Sequence, residues 1–278
     1  MRAGGLAAIP YINVEPDVVC SLVQDTIFSR SPKGLKNTGI FIGGRDTQQA
    51  MDMLASAQKS MFTPFEVSVF ADPSGAFTKA AAMVAVVEDK LNTEFDTTLE
   101  DKTILALGGT GPVGQIVSVL AAQAGANVTI IGRQLDKAQR IADMCNQKFG
   151  AGKISIAAGV DTKKAEYIKT ADVVFATGAA GIELLSAELV TSATQLKVAA
   201  DVNAVPPSGV VGLDAFDNGT AIVGSNSGAI GVGALAIGNV KYQVQSMLLK
   251  KMTEVEKPIF LHFEHAFATA REFIQAAK

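Results

Sequence analysis

Gly109-x-Gly111-x-x-Gly114 lies between an apolar run, Thr103-Ile104-Leu105-Ala106-Leu107, and an apolar stretch from Gln115 to Ala124. Strand, glycine turn and helix in that order form a grip for a pyrophosphate. The first glycine permits the tight turn, the second lets backbone N–H groups approach the anion, and the third lets helix and strand pack closely. The partial positive charge of a helix N-terminus then holds an anion on a chain whose net charge is −3. Thr110, Pro112 and Val113 belong to the same loop and count with the glycines as cofactor contacts. An acidic residue about 20 positions further on would read the ribose 2′-hydroxyl of NAD. Gly132-Arg133 stands there instead, and Arg133 with Lys137 suits a 2′-phosphate, so the cofactor expected is NADP, with NAD possible. Thr177 and Gly178, in Ala176-Thr177-Gly178-Ala179-Ala180-Gly181, and Asn203, in Asp201 to Pro207, end two further strand signals and are expected to wall the nicotinamide site.

Other residues able to do chemistry are few. Asp72 and Thr78 flank the turn Asp72-Pro73-Ser74-Gly75 and are expected to face a cleft between domains. Lys241 sits early in a long helical pattern after a glycine-rich segment. His262 and His265 share a helical face without carboxylates at ligand spacing, which predicts surface histidines and no metal site. Cys20 and Cys145 match no metal or redox spacing and read as free core thiols of a reducing compartment. No Ser/His/Asp or Cys/His arrangement stands out.

The elements that must position these residues alternate. Thr38 to Ile42 reads as a strand followed by a helix from Thr47 to Ser60, and Phe65 to Phe70 as a strand followed by a helix from Phe77 to about Leu91. The polar stretch Asn92 to Asp101 reads as a linker. Buried-strand signals then recur at Thr103–Leu107, Asn127–Ile131, Lys153–Ala157, Asp172–Ala176 and Leu196–Asp201, with helices between. Helical patterns cover Asn239 to Met252 and Phe260 to Ala277. The expected fold is α/β: a Rossmann-type doubly wound parallel sheet plus a smaller α/β substrate domain completed by C-terminal helices. Without a basic excess, nucleic acid is not an expected partner. No apolar run reaches the ~20 residues of a membrane span. Met1-Arg2-Ala3-Gly4-Gly5 lacks the pattern of a signal peptide, so the cytoplasm is the expected location.

Five blocks taken together carry a resemblance: Gly39 to Gly44, Phe70 to Gly75, Gly108 to Gly114, Asp201 to Pro207, and Gly231-Val232-Gly233-Ala234-Leu235-Ala236-Ile237-Gly238-Asn239-Val240-Lys241. They resemble the NAD(P)-dependent methylene-tetrahydromethanopterin dehydrogenases of methylotrophic bacteria. That resemblance implies a pterin-binding domain over residues 1–97 and 240–278, a Rossmann domain over 98–239, a homo-oligomer, and a place in cytoplasmic formaldehyde oxidation. It implies hydride transfer from the methylene bridge of a reduced pterin to the nicotinamide, with Lys241 and Asp72 as catalytic candidates and Asp72, Thr78 and Lys241 as substrate contacts. The family also begins with a further strand and helix ahead of the equivalent of Ile9-Pro10-Tyr11, which implies a shortened start on the pterin side. A methylene-tetrahydrofolate dehydrogenase and a non-catalytic NADP-binding sensor are the alternative readings.

Overall fold

The computed structural model describes residues 2–3 and 6–278; the reading of the extreme amino end falls partly on Met1, Gly4 and Gly5, outside the described residues. At that end β1 (Arg2–Ala3) and β2 (Leu6–Ala7) pair antiparallel. There follow α1 (Val19–Phe28), α2 (Pro32–Leu35), β3 (Gly39–Ile42), α3 (Thr47–Lys59), β4 (Ser68–Ala71) and α4 (Ala76–Phe95). The middle of the chain contributes β5 (Thr103–Leu107), α5 (Pro112–Gln123), β6 (Asn127–Gly132), α6 (Leu135–Met144), β7 (Ile156–Val160), α7 (Lys164–Tyr167), β8 (Val173–Ala176), α8 (Ala187–Ser192), β9 (Val198–Asp201), β10 (Asn218–Ala221) and β11 (Ile230–Val232). Last come α9 (Ala234–Glu254), β12 (Phe260–Leu261) and α10 (Phe263–Ala276).

The larger sheet has the order β10-β11-β9-β8-β5-β6-β7, and every neighbouring pair except β10 with β11 is parallel. Counting from β5, its parallel strands follow the 3-2-1-4-5-6 order of doubly wound dinucleotide folds, in which ligands bind where the winding reverses. That reversal lies between β5 and β8, at the glycine loop. A second, three-stranded parallel sheet has the order β12-β4-β3.

One helix joins the two sheets. Helix α4 buries Ala80, Ala81, Ala82, Met83, Val84, Ala85 and Val87, and it packs against α5, α9 and α10. A helix apolar all round is a core helix, and its short alanine side chains let three neighbours approach closely. The polar stretch Asn92 to Asp101 is not a free linker: the helix runs on to Phe95, which packs on the core, and Leu91 and Leu99 are buried.

Other expectations need correction. The strand placed at Lys153–Ala157 is β7, three residues later, because Asn146 fixes its start by hydrogen bonds to both backbone groups of Ile156. Phe260–Leu261 is a strand parallel to β4 rather than the start of the last helix; two residues are too few to show a period. The glycine-rich segment before α9 holds β10 and β11. Cys145 is buried, which pushes its thiol up to about 12, but Cys20 is exposed.

The histidines are structural. His262 caps α10 by accepting from the Glu264 N–H, while Nδ1 of His265 accepts from the His262 N–H. Both rings act as acceptors and so must be neutral. Burial, reinforced by His265, pushes His262 down to about 4 from an ordinary 6.5. Between those values the unfolded chain binds more protons than the native one, so stability rises with pH. Acidification from 6.5 to 4 is therefore expected to remove up to about 3 kcal/mol, measured by denaturant titration. His262→Asn, still a capping residue, should flatten most of that slope; an unchanged slope would refute the assignment.

Candidate functional site

The dinucleotide loop is shaped by what its glycines touch. A Cβ on Gly108, whose φ is +68°, would lie 2.7 Å from the Gly178 backbone, and one on Gly114 would lie 2.7 Å from Oγ1 of Thr177. Those positions bring the loops after β5 and β8 together. A Cβ on Gly111 would meet only the Gly108 carbonyl oxygen, at 3.6 Å, so this part of the loop faces open space. Gly111 is extended, Pro112 starts α5, and no side chain caps the helix. The loop therefore leaves both room and free N–H groups for an anion, as a dinucleotide pyrophosphate requires.

Arg133 directly follows β6, and Lys137 lies in the first turn of α6. Both are exposed, and among the described residues neither makes an ion pair. Thr177 and Asn203 lie at the ends of β8 and β9, where expected, but their side chains have structural partners. The Thr177 hydroxyl donates to the Leu107 carbonyl at 2.9 Å. Oδ1 of Asn203 accepts from the Gly181 and Val205 N–H groups, while its Nδ2 donates to the Pro207 carbonyl. Nearby, buried Asp201 accepts from the Asn203 and Gly209 N–H groups; burial still leaves its carboxyl above the ordinary range. Together these contacts fix the loop after β9.

On the smaller sheet, Asp72 follows β4, and its backbone N–H donates to the Ile42 carbonyl at the end of β3. The carboxylate is buried. Oδ1 accepts from the Phe77 and Thr78 N–H groups at 3.0 and 3.1 Å, taking the place of a capping side chain on α4. Oδ2 accepts from the Thr78 hydroxyl and from Nε2 of Gln245, both at 2.8 Å. The Gln245 amide is thereby oriented, and its Oε1 accepts from the Lys241 ammonium at 2.7 Å. A Cβ on Gly75 would lie 3.3 Å from Cε of Lys241, so the glycine makes room for the lysine stem.

Lys241, Gln245, Asp72 and Thr78 thus form one array between α9, which leaves the larger sheet at β11, and the turn after β4. Burial, the largest effect on Asp72, raises its pKa against the opposing pull of Thr78, Lys241 and Gln245. Sequence reading had singled out three members of the array but not Gln245. The signal was the spacing: Lys241 and Gln245 are four residues apart on one helix and share a face.

Residues 1–74 match a family model described as methylene-tetrahydromethanopterin dehydrogenase, N-terminal, and residues 89–207 match one described as shikimate / quinate 5-dehydrogenase. Over 97% of its length and 91% of the relative's, the chain is 41% identical to the NAD(P)-dependent methylenetetrahydromethanopterin dehydrogenase of Methylorubrum extorquens. The chain belongs to the methylene-tetrahydromethanopterin dehydrogenase family. A second relative from the same organism, the bifunctional protein MdtA, is 36% identical over 94% of this chain and 88% of its own. Among solved structures, a quinate dehydrogenase from Corynebacterium glutamicum in complex with NAD is 14% identical, covers 71% of this chain and 62% of its own, and has a TM-score of 0.44.

Proposed function

We propose that this member of the methylene-tetrahydromethanopterin dehydrogenase family oxidises 5,10-methylene-tetrahydromethanopterin to the methenyl form, with NADP as the preferred hydride acceptor. The Lys241–Gln245–Asp72 array carries this reading, because it gives a polar, charge-balanced site on the smaller sheet of a chain whose larger sheet holds a dinucleotide loop. Residues 1–97 and 240–278 would hold the pterin and 98–239 the cofactor, a division supported by the two separate sheets.

Oxidation requires the C–H bond of the methylene bridge to break with its electron pair departing. Lone pairs on the two flanking nitrogens delocalise the resulting positive charge, so no general base is needed and the protein's task is orientation and electrostatics. Bound NAD(P) supplies the two-electron acceptor. The open face at Gly111 and the uncapped start of α5 fit its pyrophosphate. A lone ammonium beside a forming cation would oppose the reaction. Here one N–H of Lys241 is engaged by Gln245, and the Asp72 carboxylate beyond it offsets the charge. Lys241 is the proposed contact for the pterin's polar edge; Asp72 and Thr78, expected to face a cleft, are instead fully buried, and the Thr78 hydroxyl holds the Asp72 carboxylate rather than the substrate.

Arg133 and Lys137 support the NADP preference, since an exposed guanidinium and ammonium beside the end of β6 suit a 2′-phosphate. Arg133→Ala is expected to weaken NADP binding about 10-fold, or about 1.4 kcal/mol, and to leave NAD unchanged when both are titrated calorimetrically. Equal affinities for the two cofactors, unmoved by the substitution, would contradict it. A cytoplasmic homo-oligomer completes the proposal. No helix among the described residues is long and apolar enough to cross a membrane, and exposed Leu235 and Tyr242 on α9 give apolar surface for a second copy to cover.

A further inference from the structure

Besides helix packing and the Phe149–Phe263 ring contact, a buried amide joins the two halves beside the glycine loop. Gln115 follows the last glycine of the dinucleotide loop and is 9% exposed, one of only two polar side chains among the buried, otherwise apolar residues from Gln115 to Ala121 of α5. Its Nε2 donates to the carbonyl of Thr110, inside the glycine loop, at 3.0 Å. Its Oε1 accepts from the hydroxyl of Thr47, itself 3% exposed, at 2.6 Å. Thr47 is the first residue of α3, directly after the Gly43-Gly44-Arg45-Asp46 turn that ends β3. That turn is tied in its own right to the substrate side: Ser74 Oγ donates to the Gly44 carbonyl at 2.8 Å, and Ser74 lies two residues from Asp72. Hydrogen bonds from the glycine loop through Gln115 to Thr47, the short backbone segment 44–47, and the Ser74–Gly44 bond therefore connect the loop to the turn beside Asp72.

Resting on the hydride-transfer reading above, we infer that Gln115 is a positioning residue that locks the dinucleotide loop to the β3–α3 turn, so that cofactor and pterin meet in register. Two features support this. A buried amide with both ends satisfied fixes direction as well as distance, whereas apolar packing between the same helices would let them slide. Hydride transfer is also steeply sensitive to small misplacement of donor and acceptor. The packing of α4 on α5 holds the two halves together; Gln115 fixes their register beside the glycine loop. Gln115 touches neither reacting centre in this account, so its removal should damage the reaction more than cofactor binding.

The test uses the full chain with Gln115→Met, which keeps the buried volume but removes both hydrogen bonds. Calorimetric NADP binding to the unaltered protein checks the cofactor reading separately. Hydrogen exchange over residues 43–50 is then followed with and without NADP. NADP is expected to slow exchange there in the unaltered protein and to lose that effect in Gln115→Met, although the variant's NADP Kd stays within threefold. Its kcat should fall 10-fold or more, with a larger primary deuterium isotope effect. Thr47→Val breaks the same bridge from the other side and serves if Gln115→Met does not fold. Thr47→Ser, which keeps the hydroxyl, should restore the rate lost in Thr47→Val, and the double variant Gln115→Met/Thr47→Val should be no worse than the poorer single. An exchange response that survives bridge removal or is absent from the unaltered protein, a kcat within twofold, or kcat and NADP affinity falling in parallel would each overturn the inference.

Discussion

Lys241→Ala is expected to lower kcat/KM for the methylene pterin by about 100-fold, about 2.7 kcal/mol of barrier, while leaving NADP affinity and folding close to unchanged. The expectation rests on where the ammonium is held. The side chain lies across Gly75 and ends at Gln245, half-buried at the junction of α9 with the turn after β4, far in sequence from any dinucleotide contact. Only one of its three donors is engaged by Gln245, which leaves N–H groups to orient the pterin. Lys241→Met should behave like alanine, because it keeps the stem and loses the donors. If either variant stays within about threefold of the unaltered enzyme in steady-state assays, Lys241 has no such role.

Asp72 carries two duties, and its variants should separate them. Asp72→Ala removes the acceptor for the Phe77 and Thr78 N–H groups at the start of α4 and strands Gln245; a stability loss of about 3 kcal/mol is expected from chemical denaturation. Asp72→Asn keeps an oxygen for the helix but puts an amino group where Oδ2 accepted from Gln245. Two donors would then face each other, the Gln245 amide would turn over, and Lys241 would lose its acceptor. The expected result is a modest stability loss with a rate at least 10-fold lower, about 1.4 kcal/mol. Burial also raises the Asp72 pKa above its ordinary 3.8. The native state therefore holds this proton more tightly than the unfolded chain, and the group's contribution to stability falls as pH rises from 3.8 through the raised value, the reverse of His262. The rate should follow the carboxylate, so the acid limb of kcat/KM lies above 3.8 and disappears in Asp72→Asn. A variant with normal rate and normal acid limb would remove Asp72 from the site.

Much of this was legible in the sequence where local physics decides the outcome. The glycine loop announced itself because Gly109 and Gly114 lie where no Cβ fits, and such positions admit no other residue. The β5 and β8 strands were readable because buried parallel strands are continuous apolar runs. Legibility failed where long-range contacts decide. Asn92 to Asp101 looked like a linker because most of its side chains are polar, yet Leu99 within it and Leu91 just before it are buried and anchor it. Thr177 and Asn203 reach the expected strand ends, but tertiary partners from Leu107 and Pro207 engage their side chains. Gln245 and Gln115 escaped notice because an amide has no signature of its own. Each matters through a partner that only the fold supplies: Asp72 for one, Thr47 for the other.

The most direct measurement uses methylene-tetrahydromethanopterin deuterated at the bridge, with mass analysis of the reduced nicotinamide formed from NADP. Direct hydride transfer at an array without a general base predicts that the deuterium appears in NADPH. NADPH free of deuterium, or no NADPH despite intact NADP binding, would contradict the account.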